Sequence, residues 1–216
     1  MEKMKKNKGI FITIEGGEGS GKTTQSRLLK EYLEKLGRKV LLTREPGGTL
    51  FAESIRKILL SPDSRLVPLS ELFLYEAARS QHMEEFIIPA LKAGKVVICD
   101  RFTDATVAYQ GYGRKLDIKL INRLNKEATF GISPNLTIYL DIDSKKGLNK
   151  AKFLDKESYG SDGDRIERES VLFHNNVRKG YLNQAKKCHK RIKVIKTQST
   201  PLKTHMLIRK YLDAVL

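Results

Sequence analysis

Between Ile10 and Thr24 the chain reads I-F-I-T-I-E-G-G-E-G-S-G-K-T-T, and no other stretch narrows its possible folds so far. Ile10, Phe11, Ile12, Thr13 and Ile14 form a short β-branched apolar run, which predicts a buried strand. Gly16-x-x-x-x-Gly21-Lys22-Thr23 follows at once. Leu28, Leu29, Tyr32, Leu33 and Leu36 then recur at helical spacing. Strand, glycine loop and helix in this order make a P-loop. Gly16, Gly17, Gly19 and Gly21 let the backbone bend round a phosphate with its amides pointing inward, and the helix N-terminus adds positive potential. Glu18, Ser20 and Thr24 complete the run Gly16 to Thr24 that is expected to bind ATP. Lys22 reaches the outer phosphates, and the Thr23 hydroxyl suits Mg²⁺. A glycine turn before an ordinary helix is the competing reading, and both flanks argue against it.

The chain has 216 residues, 31% charged and 40% hydrophobic, which suits one α/β domain over the whole length with a small mobile subregion. Its net charge of +16 is compatible with nucleic acid, a membrane surface or small anionic substrates. The basic residues are spread along the chain, apart from clusters at Lys3 to Lys8 and Lys186 to Arg191. No nucleic-acid motif or aromatic-interleaved stripe accompanies them, so no specific nucleic-acid partner is expected. Cys99 and Cys188 lie far apart without zinc-type spacing, which suits a reduced, cytoplasmic protein. The basic start, MEKMKKNKG, leads straight into the first strand, so it reads as a tail and not as a signal peptide. No run approaches the roughly 18 apolar residues of a membrane span.

Gly37 is expected to end the first helix. Lys39 to Thr43 predicts a second strand, followed by the turn Arg44-Glu45-Pro46-Gly47-Gly48-Thr49 at its C-terminal edge, where open α/β sheets bind ligands. Phe51 to Leu60 predicts a helix. Leu69 to Lys92 predicts a long one, kinked near its end by Pro89. Lys95 to Cys99 is a third strand ending in Asp100-Arg101. Thr103 to Gly113 begins helical, and Asp117 to Phe130 is amphipathic. Leu136 to Leu140 is a fourth strand and Lys145 to Phe153 a helix. Leu154 to Gly163 reads as a mobile loop, Asp164 to His189 as one long charged helix. Ile192 to Ile195 is the last strand, Leu202 to Val215 the last helix. Strands separated by helices predict a five-stranded parallel sheet with helices on both faces, the P-loop NTPase arrangement, with a mobile lid over about 147–164.

A P-loop alone announces a nucleoside triphosphate and not a reaction. The chain lacks the NKxD base-reading motif of GTPases and is small for a motor ATPase. A small P-loop enzyme with a Ser/Gly-rich lid suits a kinase of small molecules. FITIEGGEGSGKTT, then TREPGGT at Thr43 to Thr49, AAR at Ala77 to Arg79, VICDRF at Val97 to Phe102, AYQGYGR at Ala108 to Arg114, PNLTIYLD at Pro134 to Asp141 and DRIERE at Asp164 to Glu169 resemble the bacterial thymidylate kinases in order and over nearly the whole chain.

That resemblance implies Mg²⁺-dependent phosphoryl transfer from ATP to dTMP, giving ADP and dTDP, by a cytoplasmic homodimer. It casts Glu18 as the P-loop acid near the acceptor nucleotide. Asp100 is the Mg²⁺-linked carboxylate, with a helix cap as its local alternative. Lys22, Arg101 and Arg165 are the catalytic charges, Arg101 on the dTMP phosphate. Arg79 reads the thymine edge. Tyr75, one helical turn earlier, stands where many members stack Phe on the base; core packing is its competing role. Arg56, and less convincingly Arg44, are candidates for the acceptor phosphate or for ion pairs. Thr106, Tyr109 and Gln110 face base and sugar, Tyr109 against a 2′-hydroxyl. The apolar faces of Leu69 to Leu91 and Thr103 to Tyr112 are candidates for the dimer surface, with core packing as the competing reading.

The lid departs from the family. Members whose P-loop lacks arginine supply lid arginines, yet Gly147 to Gly163 holds only Lys150, Lys152 and Lys156. Arg165 then leads as the lid contact to ATP, with Lys150 or Lys152 in place of the missing arginine; the competing reading pairs Arg165 with Glu169 at i,i+4 spacing. Three rival functions remain: a kinase of another nucleoside monophosphate, a nucleic-acid-stimulated ATPase, and a relative that binds nucleotide without turnover.

Overall fold

Alternation along the first strand sets the layers. In β1 (Ile10–Gly16) every residue is buried, so the strand must be covered on both sides. Ile10, Ile12 and Ile14 face one core, built with Leu29, Leu33, Ile208 and Leu212. Phe11 faces another, with Met83, Ile87 and Phe102. Thr13 and Glu15 share the Phe11 side by strand periodicity, and both are fully buried polar residues. The computed structural model describes residues 9–154, 163–212 and 215–216.

The five strands are β1, β2 (Val40–Arg44), β3 (Val96–Asp100), β4 (Leu136–Asp141) and β5 (Ile192–Lys196). All pairings are parallel, in the order β2-β3-β1-β4-β5. Helices cover both faces, as expected. Helix α1 (Lys22–Lys35) follows the glycine loop and ends before Gly37, whose φ of 75° is the left-handed value a helix stop requires. Helix α2 (Leu50–Leu60) is capped by the Thr49 hydroxyl, which accepts from the Ala52 amide.

The predicted helix over Leu69 to Lys92 is α3 (Pro68–His82), a π-helical turn at Met83–Ile87, and α4 (Ile88–Lys92). Pro89 lies in the first turn of α4, where a missing N–H costs no bond, and the irregularity falls just before it. A short α5 (Thr103–Thr106) runs into a second π segment at Val107–Gly113. Then come α6 (Ile118–Ala128) and α7 (Ser144–Leu154).

Two helix predictions need correction. The single helix over Asp164 to His189 is instead a turn followed by α8 (Val171–Lys187). Asp164 competes with the helix by accepting from the amides of Ile166 and Glu167 at 2.8 and 2.9 Å, and Ser170 caps α8 through the Phe173 amide. The last helix, α9 (Pro201–Arg209), gives way to a turn well before Val215. The mobile loop expected over Leu154 to Gly163 falls mainly on 155–162, outside the described residues. Among the described residues no helix is long and apolar enough to cross a membrane.

Candidate active site

The C-terminal ends of β1 and β3 are neighbours in register, Ile14 opposite Asp100. The glycine loop and the Asp100-Arg101 step therefore meet at one edge of the sheet. Gly19 and Gly21 take left-handed φ values of 62° and 91°, which bend the loop over the start of α1. Ser20 Oγ donates to the Gly17 carbonyl at 2.8 Å, and Lys22 Nζ curls onto the same oxygen at 3.0 Å. Burial pulls the Lys22 ammonium down from the usual lysine value, and the nearby Arg101 charge adds to the pull. Thr23 Oγ1 donates to Asp100 Oδ2 at 3.0 Å. The two residues expected at the metal thus share one spot and offer hard oxygen donors of the kind Mg²⁺ takes.

Beside the loop lies a cavity of about 210 Å³. Glu18, Arg56, Tyr75, Arg79, Arg101, Thr106, Tyr109 and Gln110, the whole predicted acceptor set, line it together with Lys22, Thr23 and Asp100. Arg101 stands at its centre, with a left-handed φ of 70°. Its guanidinium meets Glu18 Oε1 at 2.6 Å, Tyr109 Oη at 2.9 Å and the Gly16 carbonyl at 3.2 Å. Tyr109 Oη donates to the same Glu18 oxygen at 2.7 Å. Burial works to raise the Glu18 carboxyl, but Arg101 and then Lys22 outweigh it and hold the group down at about 2.

Arg79 is almost fully buried and almost fully committed. Nε donates to Glu45 at 2.8 Å, Nη1 to Glu76 at 2.9 Å and Asn125 at 2.7 Å, and Nη2 to Thr106 at 2.9 Å. A guanidinium has five N–H bonds, so one, on Nη2, is left for a ligand. Glu45 is in turn held by His82 Nδ1 at 3.2 Å, and His82 Nε2 meets Thr43 Oγ1 at 2.7 Å. Glu45, His82 and Cys99 bring ligand atoms within 4.8 Å of one another. Their chemistry does not fit a metal. Both His82 nitrogens are engaged, Arg79 sits on Glu45, and burial pushes the Cys99 thiol well up.

The other predicted cations divide. Arg56 Nη1 donates to the Pro46 carbonyl at 3.0 Å and faces the cavity. Arg44 also reaches the wall but pairs with Glu53 at 3.0 Å. Arg165 does not line the cavity. Its Nε donates to the Leu59 carbonyl at 2.7 Å, and its Nη2 forms an ion pair with Glu71 at 2.6 Å. The alternative pairing with Glu169 is not formed: that carboxylate lies 2.5 Å from Arg114 Nη1. The reason is the turn over Asp164 to Ser170, which removes the helical i,i+4 spacing. Glu71, buried on α3, also accepts from Arg114 and from Gln110 Nε2 at 2.8 Å. The side chains of Lys152 and Lys156 lie outside the described residues, and Lys150 is exposed on α7.

Sequence reasoning missed the wall formed by Asp164, Ile166 and Glu167. DRIERE was visible, but read as helix it pointed its first residues elsewhere. It also missed Gly147: a Cβ there would overlap the Glu18 carbonyl, and one on Gly19 would overlap the Gly147 carbonyl. The base of α7 therefore rests backbone to backbone on the phosphate loop. The segment Thr103 to Tyr112, expected at a dimer surface, is almost wholly buried instead, with Ala105, Ala108 and Tyr109 packed against Phe173, Val177 and Tyr181 of α8.

A family model described as thymidylate kinase matches residues 14–208. A thymidylate kinase of Citrifermentans bemidjiense is 50% identical over 201 residues, 93% of this chain and 89% of that protein. Another, from Pelotomaculum thermopropionicum, is 46% identical over 210 residues, 97% and 95% of the two chains. The crystal structure of thymidylate kinase from Ehrlichia chaffeensis matches with a TM-score of 0.76 at 38% identity, over 95% of this chain and 99% of that one. The matched span holds the phosphate loop, every residue lining the cavity beside it and the turn that closes its far wall, and the chain belongs to the thymidylate kinase family.

Proposed function

We propose that this chain transfers the γ-phosphoryl group of ATP to dTMP, giving ADP and dTDP, with the acceptor in the cavity beside the phosphate loop. The observation that carries the reading is the meeting of Arg101 with Arg79, Tyr75, Tyr109 and Gln110 in one cavity that also reaches Lys22 and Thr23. ATP is the donor of the family. Its phosphates suit the loop amides and Lys22. The acceptor phosphate suits Arg101 and Arg56, whose planar forks match its oxygens. The attacking oxygen then belongs to dTMP itself, and the transfer needs alignment and charge neutralisation more than covalent chemistry.

Thr23 and Asp100 are the residues that would hold Mg²⁺, which would neutralise phosphate charge and polarise the bond to be broken. Tyr75 supplies a ring for the base. The last free N–H of Arg79 asks the base edge for an acceptor, as the carbonyl of thymine offers and the amino group of cytosine does not. Tyr109, clamped by Glu18 and Arg101, walls the sugar against a 2′-hydroxyl.

The whole of 1–216 works as one kinase domain, with 147–164 as its lid. Lys150 takes over the charge that a lid arginine supplies elsewhere in the family. The two free cysteines support a reducing, cytoplasmic setting. The protein works as a homodimer through α2 and α3, whose Phe51, Ile58, Leu69 and Phe73 are exposed apolar residues.

ADP production with dTMP, dUMP, UMP, CMP, AMP and no acceptor tests the reading. Preference for dTMP, weaker use of dUMP and rejection of UMP and CMP is the expected outcome. Equal rates with CMP would overturn the role of Arg79, and ATP binding without turnover on any acceptor would overturn the catalytic reading.

A further inference from the structure

Glu15 is a fully buried acid next to the phosphate loop that no step above uses. Its two oxygens have one partner each: Oε1 accepts from the Phe102 amide at 2.7 Å, and Oε2 accepts from Tyr181 Oη at 2.8 Å. The Phe102 amide follows Arg101, a non-glycine residue held at φ 70°. Side chains disfavour that conformation, and it persists only where the surroundings fix it. The surroundings here are the consecutive residues at the end of β1. The Ile14 carbonyl accepts from the Arg101 amide at 3.0 Å, Glu15 takes the next amide, and the Gly16 carbonyl and Glu18 take the guanidinium. Phe102 enters α5 without a side-chain cap, so Glu15 is what receives its amide.

We infer that Glu15 is a positioning residue for Arg101: through the Phe102 amide it holds the Arg101 backbone in its left-handed turn, and Tyr181 holds Glu15. The inference rests on the reading of Arg101 as the acceptor-phosphate ligand. Burial pushes the Glu15 carboxyl up to about 8, with Asp104 adding to the shift. Glutamine keeps the shape and the oxygen that receives the Phe102 amide, and the Tyr181 hydroxyl turns to accept from its N–H.

The test compares kcat and both KM values for wild type, Glu15→Gln, Glu15→Leu, Arg101→Ala and the Glu15→Leu/Arg101→Ala double variant. A misaimed group costs about 10- to 100-fold in turnover. Glu15→Leu is expected to lose kcat on that scale with KM for ATP unchanged, and Glu15→Gln to restore most of it. In the Arg101→Ala background Glu15→Leu should cost nothing more, because what it positions is gone. A Glu15→Leu loss that persists in full in that background overturns the inference, as does wild-type turnover by Glu15→Leu while Arg101→Ala is impaired. Wild-type turnover by Arg101→Ala overturns the reading beneath it. If Glu15→Leu does not fold, Tyr181→Phe carries the test: lowered kcat at unchanged KM for ATP supports the inference, and unchanged kcat in folded enzyme overturns it.

Discussion

Three carboxylates around the site show how the same group serves different ends. Glu18 is held ionised by Arg101 and Lys22, Glu45 by Arg79 and His82, and Glu15 is pushed up by burial and by Asp104, which outweigh the Arg101 charge. For Glu15 the folded-state value lies above the unfolded one. Its support for folding is present below about pH 4.5 and is lost as pH rises through about 8. Glu15→Gln should therefore be more stable than wild type by a margin that grows from pH 5.5 to pH 9, read from urea midpoints at both; a constant margin would contradict the assignment. His82 gives a second expectation. His82→Leu removes the hydrogen bond that fixes Glu45 beneath Arg79, a bond to a charged group. It should raise KM for dTMP by about tenfold and leave KM for ATP alone, whereas equal changes in both would point to general unfolding. Lys22 was legible from the spacing of the P-loop motif, and the family resemblance pointed to Arg79 and Arg101, which line the same cavity. Glu15 and His82 were not, because their role lies in contacts with Phe102 and Thr43 that no local pattern encodes.

The elements around the site are tied together at their ends. The turn after 162 is fastened to the C-terminus of α2 by the Arg165 amide on Leu60 and by its guanidinium on Leu59, and to α3 by the pair with Glu71. Arg165→Ala should then cost about 2 kcal/mol of stability with kcat within about twofold of wild type. A loss of turnover of two orders of magnitude in folded enzyme would instead support the expected role of Arg165 as a charge on ATP. The strands and α1 were legible because their apolar runs are short, β-branched and punctuated by glycine. The stretch from Asp164 to Ser170 was not. Its composition is helical, and what stops the helix is the Asp164 side chain competing for nearby amides. The π segments at Met83–Ile87 and Val107–Gly113 escape a reading that has only periods of 2 and 3.6.

At the scale of the whole molecule, Leu50, Phe51, Ile58, Leu69 and Phe73 are exposed apolar residues on the neighbouring helices α2 and α3, while the other exposed apolar side chains of the described residues are spread along the chain. A homodimer through α2 and α3 should fall apart in Phe73→Asp, seen as halved mass by sedimentation, with the fold intact by circular dichroism; a wild type that sediments as a monomer would end the idea. Of the two stretches expected at a dimer surface, Leu69 to Leu91 leaves Leu69, Phe73 and Phe86 exposed, whereas Thr103 to Tyr112 reads just as amphipathic and is core.

The order β2-β3-β1-β4-β5 also fixes when a site can exist. β1 carries the phosphate loop and is made first, yet it pairs with residues 96–100 and 136–140. Such distant pairings are slow to form and cannot precede the synthesis of both partners. A chain that has grown past Thr24 but not past Asp141 holds the entire phosphate-binding sequence behind a strand that still lacks at least one of its two neighbours. During that interval the stretch that later grips a nucleotide is the part of the nascent chain most in need of shelter.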